Sequence, residues 1–345
     1  FTLAVGDSTS PSLEWTEPTG FGIYQSESSL DLSWDMSDGF RIDSVYLDYL
    51  LNGSGSPTRI VALGDVENFQ WQLPSLTGVN EFNLLVTARD HAGNESQVMM
   101  DQYIIVSDDR HSRQISGGWT LWGAPVSPYD SMMSSNVNDD LTDWVTYDYL
   151  NGGYTFNGAL RSGAGYWLGT TSSGELDISG AVLPNSQSVA LRAGWNLVAN
   201  PLVIPVPKSG LGFDNGTETK SWTEAVQDGW IVETLYRWDG TGLALSDTLH
   251  PWDGYWLGAT SQLEMTVTFD PDQVLPSLQK REDYWGITLK AYTENQGYDE
   301  ITLLGMAPDA TEGYDPGFDA PKPPPSPGGE VRLVFPHPEW DYELG

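Results

Sequence analysis

The sequence predicts an all-β protein built of tandem β-sandwich domains. Short runs of alternating apolar and polar residues recur along the chain, as in strands that bury one face. The 37 glycines and 22 prolines supply many turns between such strands. Aromatic residues make up 12% of the chain and charged residues only 18%, which indicates a folded core and excludes an acidic disordered chain.

The charge balance restricts the partners. The 345-residue chain has 48 acidic and 15 basic residues, a formal net charge of −33. Nucleic-acid binding is excluded, because phosphate contacts need clustered Lys and Arg. No long uncharged apolar run is present, so we expect no membrane insertion. The absence of Cys excludes disulfides, and the acidic excess favours an extracellular or cell-surface location, where salt screens self-repulsion.

Two solitary strands are predicted at the ends of the chain. Residues 1–8 form an isolated N-terminal strand, and residues 331–335 form a second one. The chain begins with Phe and has no leader-like segment, so we expect both ends to be cuts through a longer polypeptide. A lone strand is unstable, and each is expected to pair with a neighbouring domain, within this chain, or with another copy by strand addition. The residues assigned to assembly are Phe1, Leu3, Val5, Val331, Leu333 and Phe335.

Residues 9–109 form the first predicted domain. Leu30, Leu32 and Trp34 alternate with polar residues, and similar runs follow, separated by turn clusters. This pattern over about 100 residues predicts an antiparallel β-sandwich. Residues 11–18 and the ending Ala-Arg-Asp-His-Ala-Gly-Asn at 88–94 resemble bacterial immunoglobulin-like modules, which serve as spacers in large secreted and cell-surface proteins. The resemblance implies an immunoglobulin-like sandwich without the antibody-type Cys pair.

Residues 115–270 contain an internal duplication, with repeats at 118–180 and 194–269. The pentad Gly-Tyr-Trp-Leu-Gly occurs in both, at 165–169 and 254–258. Identical pentads in the same order are a strong repeat signal. We therefore expect two pseudo-symmetric β units that bury Trp faces against one another.

One short helix is predicted inside the second repeat. Ser221 and Glu224 have the spacing of a capping box, and Gly229 suits the helix end. The repeated phrases Gly-Trp-Asn-Leu and Gly-Tyr-Trp-Leu resemble segments of surface proteins from Bacteroidota-type and related Gram-negative bacteria. The resemblance implies an architecture and no activity.

Residues 280–345 form a small C-terminal β domain with a Pro-rich loop. Residues 284–292 and 299–305 predict a hairpin. The acidic run at 309–319, followed by prolines, is similar to the region ahead of the sorting domain in type IX-secreted proteins of Bacteroidota-like Gram-negative bacteria. That family continues beyond residue 340, so we expect truncation, and no sorting signal is identifiable.

The chemistry-bearing residues indicate that the protein is not an enzyme. The His residues are spread over unrelated turns without metal-ligand spacing. Neither a nucleophile elbow, nor a dinucleotide-binding loop, nor a Walker loop occurs in the sequence. Carboxylate pairs for glycoside hydrolysis arise by chance among 48 acidic residues and decide nothing.

Calcium is the candidate cofactor. Ca²⁺ takes six to eight oxygen ligands, which clustered carboxylates and turn carbonyls supply. The main candidate ligands share one Gly/Pro-rich loop and are Asp309, Glu312, Asp315 and Asp319; a second, weaker set is Asn138, Asp139 and Asp140. The alternative is that these side chains only form turns and solvate the loop.

Sugar binding is the other ligand hypothesis. Flat Trp faces suit stacking on a sugar, but most of the Trp residues recur at matched repeat positions, where core packing explains them. Trp122 has no aromatic residue at the matching position of the second repeat, and Trp252 lies just outside the shared pentad. They are therefore the better candidates for exposed carbohydrate-binding residues.

These observations favour a non-catalytic extracellular structural or surface protein. It would act as a spacer, a stalk, or a subunit of a filament or surface layer, with copies of itself or neighbouring domains of a longer chain as partners. One alternative is a carbohydrate-binding or adhesin module with glycan partners. A second alternative is that the chain consists of accessory domains of a larger secreted hydrolase.

Overall fold

The computed structural model describes residues 6–137, 141–156, 158–272, 285–294, 297–315 and 318–337. The chain divides into two units, Phe1–Asp109 and Arg110–Gly345, and each is described by itself. Strands dominate both units, and the helices are short. The predicted all-β class is confirmed.

The strands described in the first unit run in chain order. They are β1 (Ser12–Glu17), β2 (Gly22–Gln25), β3 (Ser29–Ser37), β4 (Ile42–Leu51), β5 (Ser54–Leu63), β6 (Asn68–Gln72), β7 (Val79–Asp90), β8 (Glu95–Met99) and β9 (Ile104–Ser107).

These strands form a sandwich. One sheet has the order β1-β3-β6, and the other has the order β2-β9-β7-β4-β5, with β8 also paired to β7. Strands β2 and β9 are parallel, whereas the other pairs are antiparallel. Two such sheets with crossing connections are an immunoglobulin-like arrangement.

The core of the first unit lies between these sheets. Leu30, Leu32 and Trp34 on β3 are buried and belong to the same apolar cluster as Val45 on β4 and Phe82 on β7. Successive side chains of a strand point to opposite faces, so the alternation in the sequence places every second residue of β3 in this core. The alternation predicted for these strands is confirmed.

The elements described in the second unit are also mostly strands. The first repeat contributes β10 (Arg110–Ile115), β11 (Gly118–Trp122), β12 (Ser127–Pro128), α1 (Met133–Val137), β13 (Trp144–Leu150), β14 (Gly153–Phe156), β15 (Tyr166–Thr170) and β16 (Gly174–Ala181). The second repeat contributes β17 (Ser186–Leu191), β18 (Gly194–Ala199), β19 (Val206–Pro207), a 3-10 helix (Lys208–Gly210), β20 (Leu211–Asp214), β21 (Thr219–Ser221), α2 (Trp222–Gln227), β22 (Tyr236–Trp238), β23 (Leu243–Leu245), β24 (Thr248–Leu249), β25 (Gly254–Ala259) and β26 (Leu263–Thr268). A hairpin of β27 (Trp285–Tyr292) and β28 (Tyr298–Met306) follows.

The two repeats share one topology. The first forms a sheet of order β11-β15-β13-β14, and the second forms one of order β18-β25-β22-β23. The repeated pentads fall on β15 and β25, the second strand of each order, except that Gly165 directly precedes β15. Further sheets have the orders β10-β16-β12 and β17-β26-β20-β21. The internal duplication is therefore a property of the fold as well as of the sequence.

A pseudo-two-fold relation joins the repeats. The Gly123 N–H donates to the Trp252 carbonyl at 3.2 Å, and the equivalent Ala199 N–H donates to the Gly163 carbonyl at 2.9 Å. Two β-bridges repeat this exchange, between Trp122 and Asp253 and between Ala164 and Val198. Each repeat thus offers the other the same pair of surfaces, as in an isologous interface.

The interface between the repeats is aromatic. Trp167 on β15 and Trp256 on β25 are fully buried. Tyr149 packs edge-on against Trp256 with ring centroids 4.9 Å apart, and Trp238 packs against Trp167 at 5.2 Å. The Trp238 Nε1–H also donates to the Trp119 carbonyl at 2.9 Å. The Trp faces of the repeats are buried against one another, as predicted.

Helix α2 begins as the capping box predicts. The Glu224 N–H donates to Ser221 Oγ at 3.4 Å, and the Ser221 N–H donates to Glu224 Oε2 at 2.9 Å. Gly229, two residues after the last helical residue, has a φ of 69° and ends the helix in the left-handed region.

The C-terminal segment belongs to the second unit. Strands β27 and β28 form the predicted hairpin, and β28 contacts β23. Residues 331–337 form no strand, which corrects the strand predicted at 331–335. The reason lies at Leu333, whose N–H donates to Asp299 Oδ2 at 2.7 Å and whose carbonyl accepts from Thr302 Oγ1 at 2.8 Å. The N–H and the carbonyl of Leu333 are thus hydrogen-bonded to side chains and are not available for pairing with a neighbouring strand.

Candidate functional site

The two candidate sugar-binding residues stack on each other. The ring centroids of Trp122 and Trp252 are 6.4 Å apart, with an angle of 22° between the rings. Trp122 is fully buried, and Tyr166 covers it from another direction at 6.2 Å. This corrects the predicted exposure of Trp122, which packs at the junction of the repeats. Carbohydrate binding by this pair stays a prediction.

The loop that is predicted to bind calcium, at 309–319, brings only part of its candidate ligand set together. The Asp315 N–H donates to Asp319 Oδ2 at 2.8 Å, and Thr311 donates from N–H and Oγ1–H to the Asp315 carboxylate. Within the described residues, no three of the predicted carboxylates of this loop have oxygens within 4.8 Å of one another. The weaker set at 138–140 and the assembly residues Phe1, Leu3 and Val5 lie outside the described residues.

The C-terminal assembly residues lie in the irregular segment around Leu333. Phe335 and its neighbour Val334 are exposed, whereas Val331 and Leu333 are partly buried. The backbone of Leu333 is bonded to side chains of β28. Their part in assembly stays a prediction.

A different group of carboxylates converges in the first unit. In the part of the chain that the structure describes, Asp7, Asp38 and Asp90 form the one group of three or more His, Asp or Glu side chains whose ligand atoms all lie within 4.8 Å of one another. Two oxygens bound to one Ca²⁺ at 2.3–2.6 Å are at most about 5 Å apart, so a single cation fits between the three. Asp7 Oδ2 and Asp38 Oδ2 are buried and have no hydrogen-bond partner.

Three separate segments position these carboxylates. Asp38 directly follows β3, and Asp90 is the last residue of β7. Asp90 is 1% exposed and accepts from the Asn94 N–H at 2.9 Å and from Asn94 Nδ2 at 2.8 Å. Asn94 Nδ2 also donates to the Asp7 carbonyl at 3.3 Å, which ties the N-terminal segment to the turn.

The electrostatics of this group favour a bound cation. Burial raises the pKa of Asp90, but the hydrogen bonds from Asn94 outweigh burial and hold the pKa below its ordinary value. Asp90 is therefore ionised at neutral pH, next to two further carboxylates with unpaired buried oxygens. Like charges in one place are unfavourable unless a cation offsets them.

Sequence reasoning missed this group. Asp90 lies within the Ala-Arg-Asp-His-Ala-Gly-Asn segment that carries the immunoglobulin-like resemblance, so the sequence drew attention to one of the three carboxylates. Asp7 and Asp38 are 83 and 52 residues away from it in the chain, and only the sandwich topology brings them to the same end.

No helix in the described part of the chain is both long and apolar enough to span a membrane.

No protein-family model matches the sequence, and no curated protein matches it. Solved structures with local similarity include the Clostridium thermocellum CbhA fibronectin(III)-like modules, 19% identical over 29% of this chain and 47% of that chain, with a TM-score of 0.22. Murine CRIg is 15% identical over 29% of this chain and 98% of that chain, with a TM-score of 0.19. The chicken CNTN1 FN1-FN3 domains are 11% identical over 50% of this chain and 57% of that chain, with a TM-score of 0.22. Similarity at this level carries no functional argument.

Proposed function

We propose that the protein is a non-catalytic extracellular structural protein, in which tandem β domains act as a spacer or stalk at a bacterial cell surface. The acidic composition and the resemblance of residues 88–94 and 309–319 to secreted surface proteins support this location. One observation on the first unit carries the mechanical part of the proposal.

The chain enters and leaves the first unit at opposite ends of β7. Asp7 is bonded to Asn94, beside Asp90 at the end of β7, whereas Ser107 of β9 pairs with Val79 at the start of β7. Twelve residues of extended strand span roughly 35–40 Å. A domain with this connectivity adds its full length to a string of domains, as a spacer requires.

The same connectivity resists tension. Strand β2, near the start of the first unit, pairs in parallel with β9, near the end of that unit, from Gly22 opposite Ile104 to Gln25 opposite Ser107. Pulling the two ends apart drags these strands past each other along their length, so their hydrogen bonds are loaded together. The Ser26 N–H extends this contact by donating to the Ser107 carbonyl at 2.7 Å.

Single-molecule pulling of the whole chain from its two ends tests this proposal. We expect Ser26→Pro, which removes the donor to Ser107, to lower the unfolding force of the first unit, and Ser26→Ala, which keeps the N–H, to leave it unchanged. Equal forces for wild type and Ser26→Pro would contradict a tension-bearing role for the β2–β9 pair.

The assembling form of the proposal, a filament or surface-layer subunit, has its own test. The β27–β28 hairpin exposes large apolar side chains, including Trp285, Leu303 and Met306. An exposed apolar strand edge is a site for pairing with another chain. Electron microscopy of concentrated protein should display filaments or sheets, and Leu303→Lys should reduce them; monomers at high concentration would contradict assembly.

Calcium binding is the second candidate function, favoured by the buried, unpartnered oxygens of Asp7 and Asp38. A Ca²⁺ concentration 100-fold above the dissociation constant would stabilise the first unit by about 2.7 kcal/mol. We expect Ca²⁺ to raise the melting temperature of wild type and of Asp319→Asn, but not of Asp38→Asn. The reverse pattern would assign the cation to the 309–319 loop, and no shift in any variant would contradict both sites.

A further inference from the structure

A lysine and an aspartate are in direct contact inside the second unit. Lys322 Nζ lies against Asp299 Oδ2, and the two side chains are only 9% and 4% exposed. Asp299 is the second residue of β28, and Lys322 lies in the Pro-rich segment, between Pro321 and Pro323. A buried amine and a buried carboxyl are thus held together from two segments that are distant in sequence.

Both groups are fixed by further hydrogen bonds. Lys322 Nζ donates to Thr302 Oγ1 at 2.5 Å and to the Leu333 carbonyl at 3.0 Å. Asp299 Oδ1 accepts from the Ile301 N–H and from Thr302 Oγ1, each at 3.2 Å. These contacts hold the amine nitrogen beside the carboxyl group and restrict its motion away from it, which raises the effective concentration of one group at the other.

A second acid adjoins the pair. The Glu330 side chain is 2% exposed and lines the same cavity of about 10 Å³ as Asp299 and Lys322, a space of about one water molecule. Burial raises the pKa of Glu330, although Arg332 Nη1 lies 3.5 Å from its Oε1. A carboxyl group with a raised pKa keeps its proton to a higher pH than an ordinary glutamate does, which suits it to proton transfer.

The protonation states of the pair depend on the same burial. Burial lowers the pKa of Lys322, which makes the neutral, nucleophilic amine more accessible. Burial also raises the pKa of Asp299, but hydrogen bonds from Leu333 and Lys322 outweigh it and hold the pKa below its ordinary value. The carboxylate therefore needs a proton before an amine attacks it, and Glu330 is the neighbouring donor.

We propose that Lys322 and Asp299 form an intramolecular amide, with Glu330 as the proton relay. Glu330 donates its proton to the Asp299 carboxylate and takes one from the Lys322 ammonium, which leaves a neutral acid and a neutral amine. Lys322 Nζ attacks Asp299 Cγ, the new N–C bond forms, and one carboxyl oxygen leaves as water with protons relayed by Glu330. One ammonium and one carboxylate become one amide and one water, and no oxidant or activating group is consumed.

The consequence is a covalent clamp. The amide joins β28 to the Pro-rich segment, which otherwise has no strand ladder to hold it. This cross-link suits a chain without Cys, because it needs neither a disulfide nor an oxidising environment. It goes beyond the proposed spacer function and does not depend on it.

Mass spectrometry of the intact protein tests the amide. Wild type should be lighter than the mass calculated from its sequence by one water, and a protease digest should contain one branched peptide that joins Lys322 to Asp299. Lys322→Arg and Asp299→Ala should have their full calculated masses. A full-mass wild type would overturn the proposal, because the pair would then be an ion pair only.

Two further variants separate chemistry from folding. Glu330→Gln keeps the shape of the side chain without the relay, so it should fold, as judged by circular dichroism, and keep its full mass. Loss of water in folded Glu330→Gln would overturn the role of Glu330. Glu300→Gln removes the partner of Lys290 in an exposed ion pair of the same hairpin and should still lose one water, as wild type does.

Discussion

Trp252 occupies, in the second repeat, the backbone position that Gly163 occupies in the first. Both residues have left-handed φ angles, 71° and 77°, and both carbonyls accept the reciprocal hydrogen bond across the pseudo-two-fold axis. A bulky residue at positive φ is unusual and costs about 1–2 kcal/mol. The stacking of Trp252 on buried Trp122 offsets this cost. The two repeats therefore adopt the same turn conformation with different residues, Gly163 in the first and Trp252 in the second.

Gly163→Ala should destabilise the second unit by about 2 kcal/mol or more, because an L-residue at this φ is strained. A Cβ at this position would also lie 2.6 Å from Val189 Cγ2. Urea unfolding followed by Trp fluorescence measures the change. Gly153→Ala is the control, since a Cβ there meets nothing within 4 Å and no left-handed φ is involved. Equal stability of both variants would contradict the assignment of strain.

Trp256→Ala should lower the free energy of unfolding by about 3–5 kcal/mol, as truncation of a buried aromatic residue does. Trp256 is fully buried and contacts Tyr149 and Trp195 at the junction of the repeats. Trp285→Ala is the matched control, because Trp285 is 57% exposed. Its change should stay within about 0.5 kcal/mol. A small effect at Trp256 would argue against an aromatic core.

Asn200 is a buried polar centre with no polar counterpart in the first repeat, where Ala124 stands. Its Nδ2 donates to the carbonyls of Ile204 and Leu249 at 2.7 and 2.8 Å, and its Oδ1 accepts from the Leu202 N–H at 2.9 Å. Asn200→Ala leaves three buried groups unpaired and should cost about 3 kcal/mol or more. Thermal unfolding is the measurement.

Asn200→Asp provides the comparison for that prediction. It keeps the acceptor for Leu202 but loses both donors and adds a buried charge, so it should be at least as destabilising as Asn200→Ala. A neutral effect of either change would mean that water replaces the lost hydrogen bonds.

Alkaline pH should weaken the second unit through Tyr236. Burial raises the pKa of Tyr236 to about 12, and its hydroxyl donates to the Pro321 carbonyl at 3.1 Å. Above the ordinary pKa of about 10, the unfolded chain loses a proton that the folded chain keeps, so the free energy of unfolding falls as pH rises through this window. At about pH 11 this ionisation lowers the free energy of unfolding by about 1.4 kcal/mol.

Tyr236→Phe isolates this effect. At about pH 7 the variant should be less stable than wild type by about 1 kcal/mol, the contribution of one hydrogen bond. Near pH 11 the two proteins should have nearly equal free energies of unfolding, because only wild type has the ionising hydroxyl. Urea unfolding at the two pH values measures it, and an unchanged difference would contradict the pKa shift.

Local patterns predicted much of this fold. The alternation around Leu32 requires only that one face of a strand is buried, and the Ser221–Glu224 spacing requires only neighbouring backbone groups. The repeated pentads also revealed the duplication, because equal sequences bury equal faces. The first two predictions depend on residues close together in the chain, and the third depends on comparing two segments of the sequence with each other.

The rest depends on contacts between distant residues. Trp122 was predicted to be exposed because its repeat counterpart is Val198, yet its ring is covered by Trp252 from the other repeat. The 331–335 segment alternates like a strand, but side chains of β28 take its backbone hydrogen bonds. The Asp7, Asp38 and Asp90 group likewise needs the ends of three segments to meet, which no local pattern reveals.

The reciprocal exchange between the repeats also constrains how the chain matures. Until the second copy emerges from the ribosome, Trp167 on the first copy lacks the contact with Trp238 that covers part of it in the folded unit. The first repeat can therefore complete its aromatic core only after the repeat at 194–269 has been synthesised. A chain that ended between the two repeats would expose apolar aromatic surface and would be prone to aggregation, and would not be a smaller stable domain.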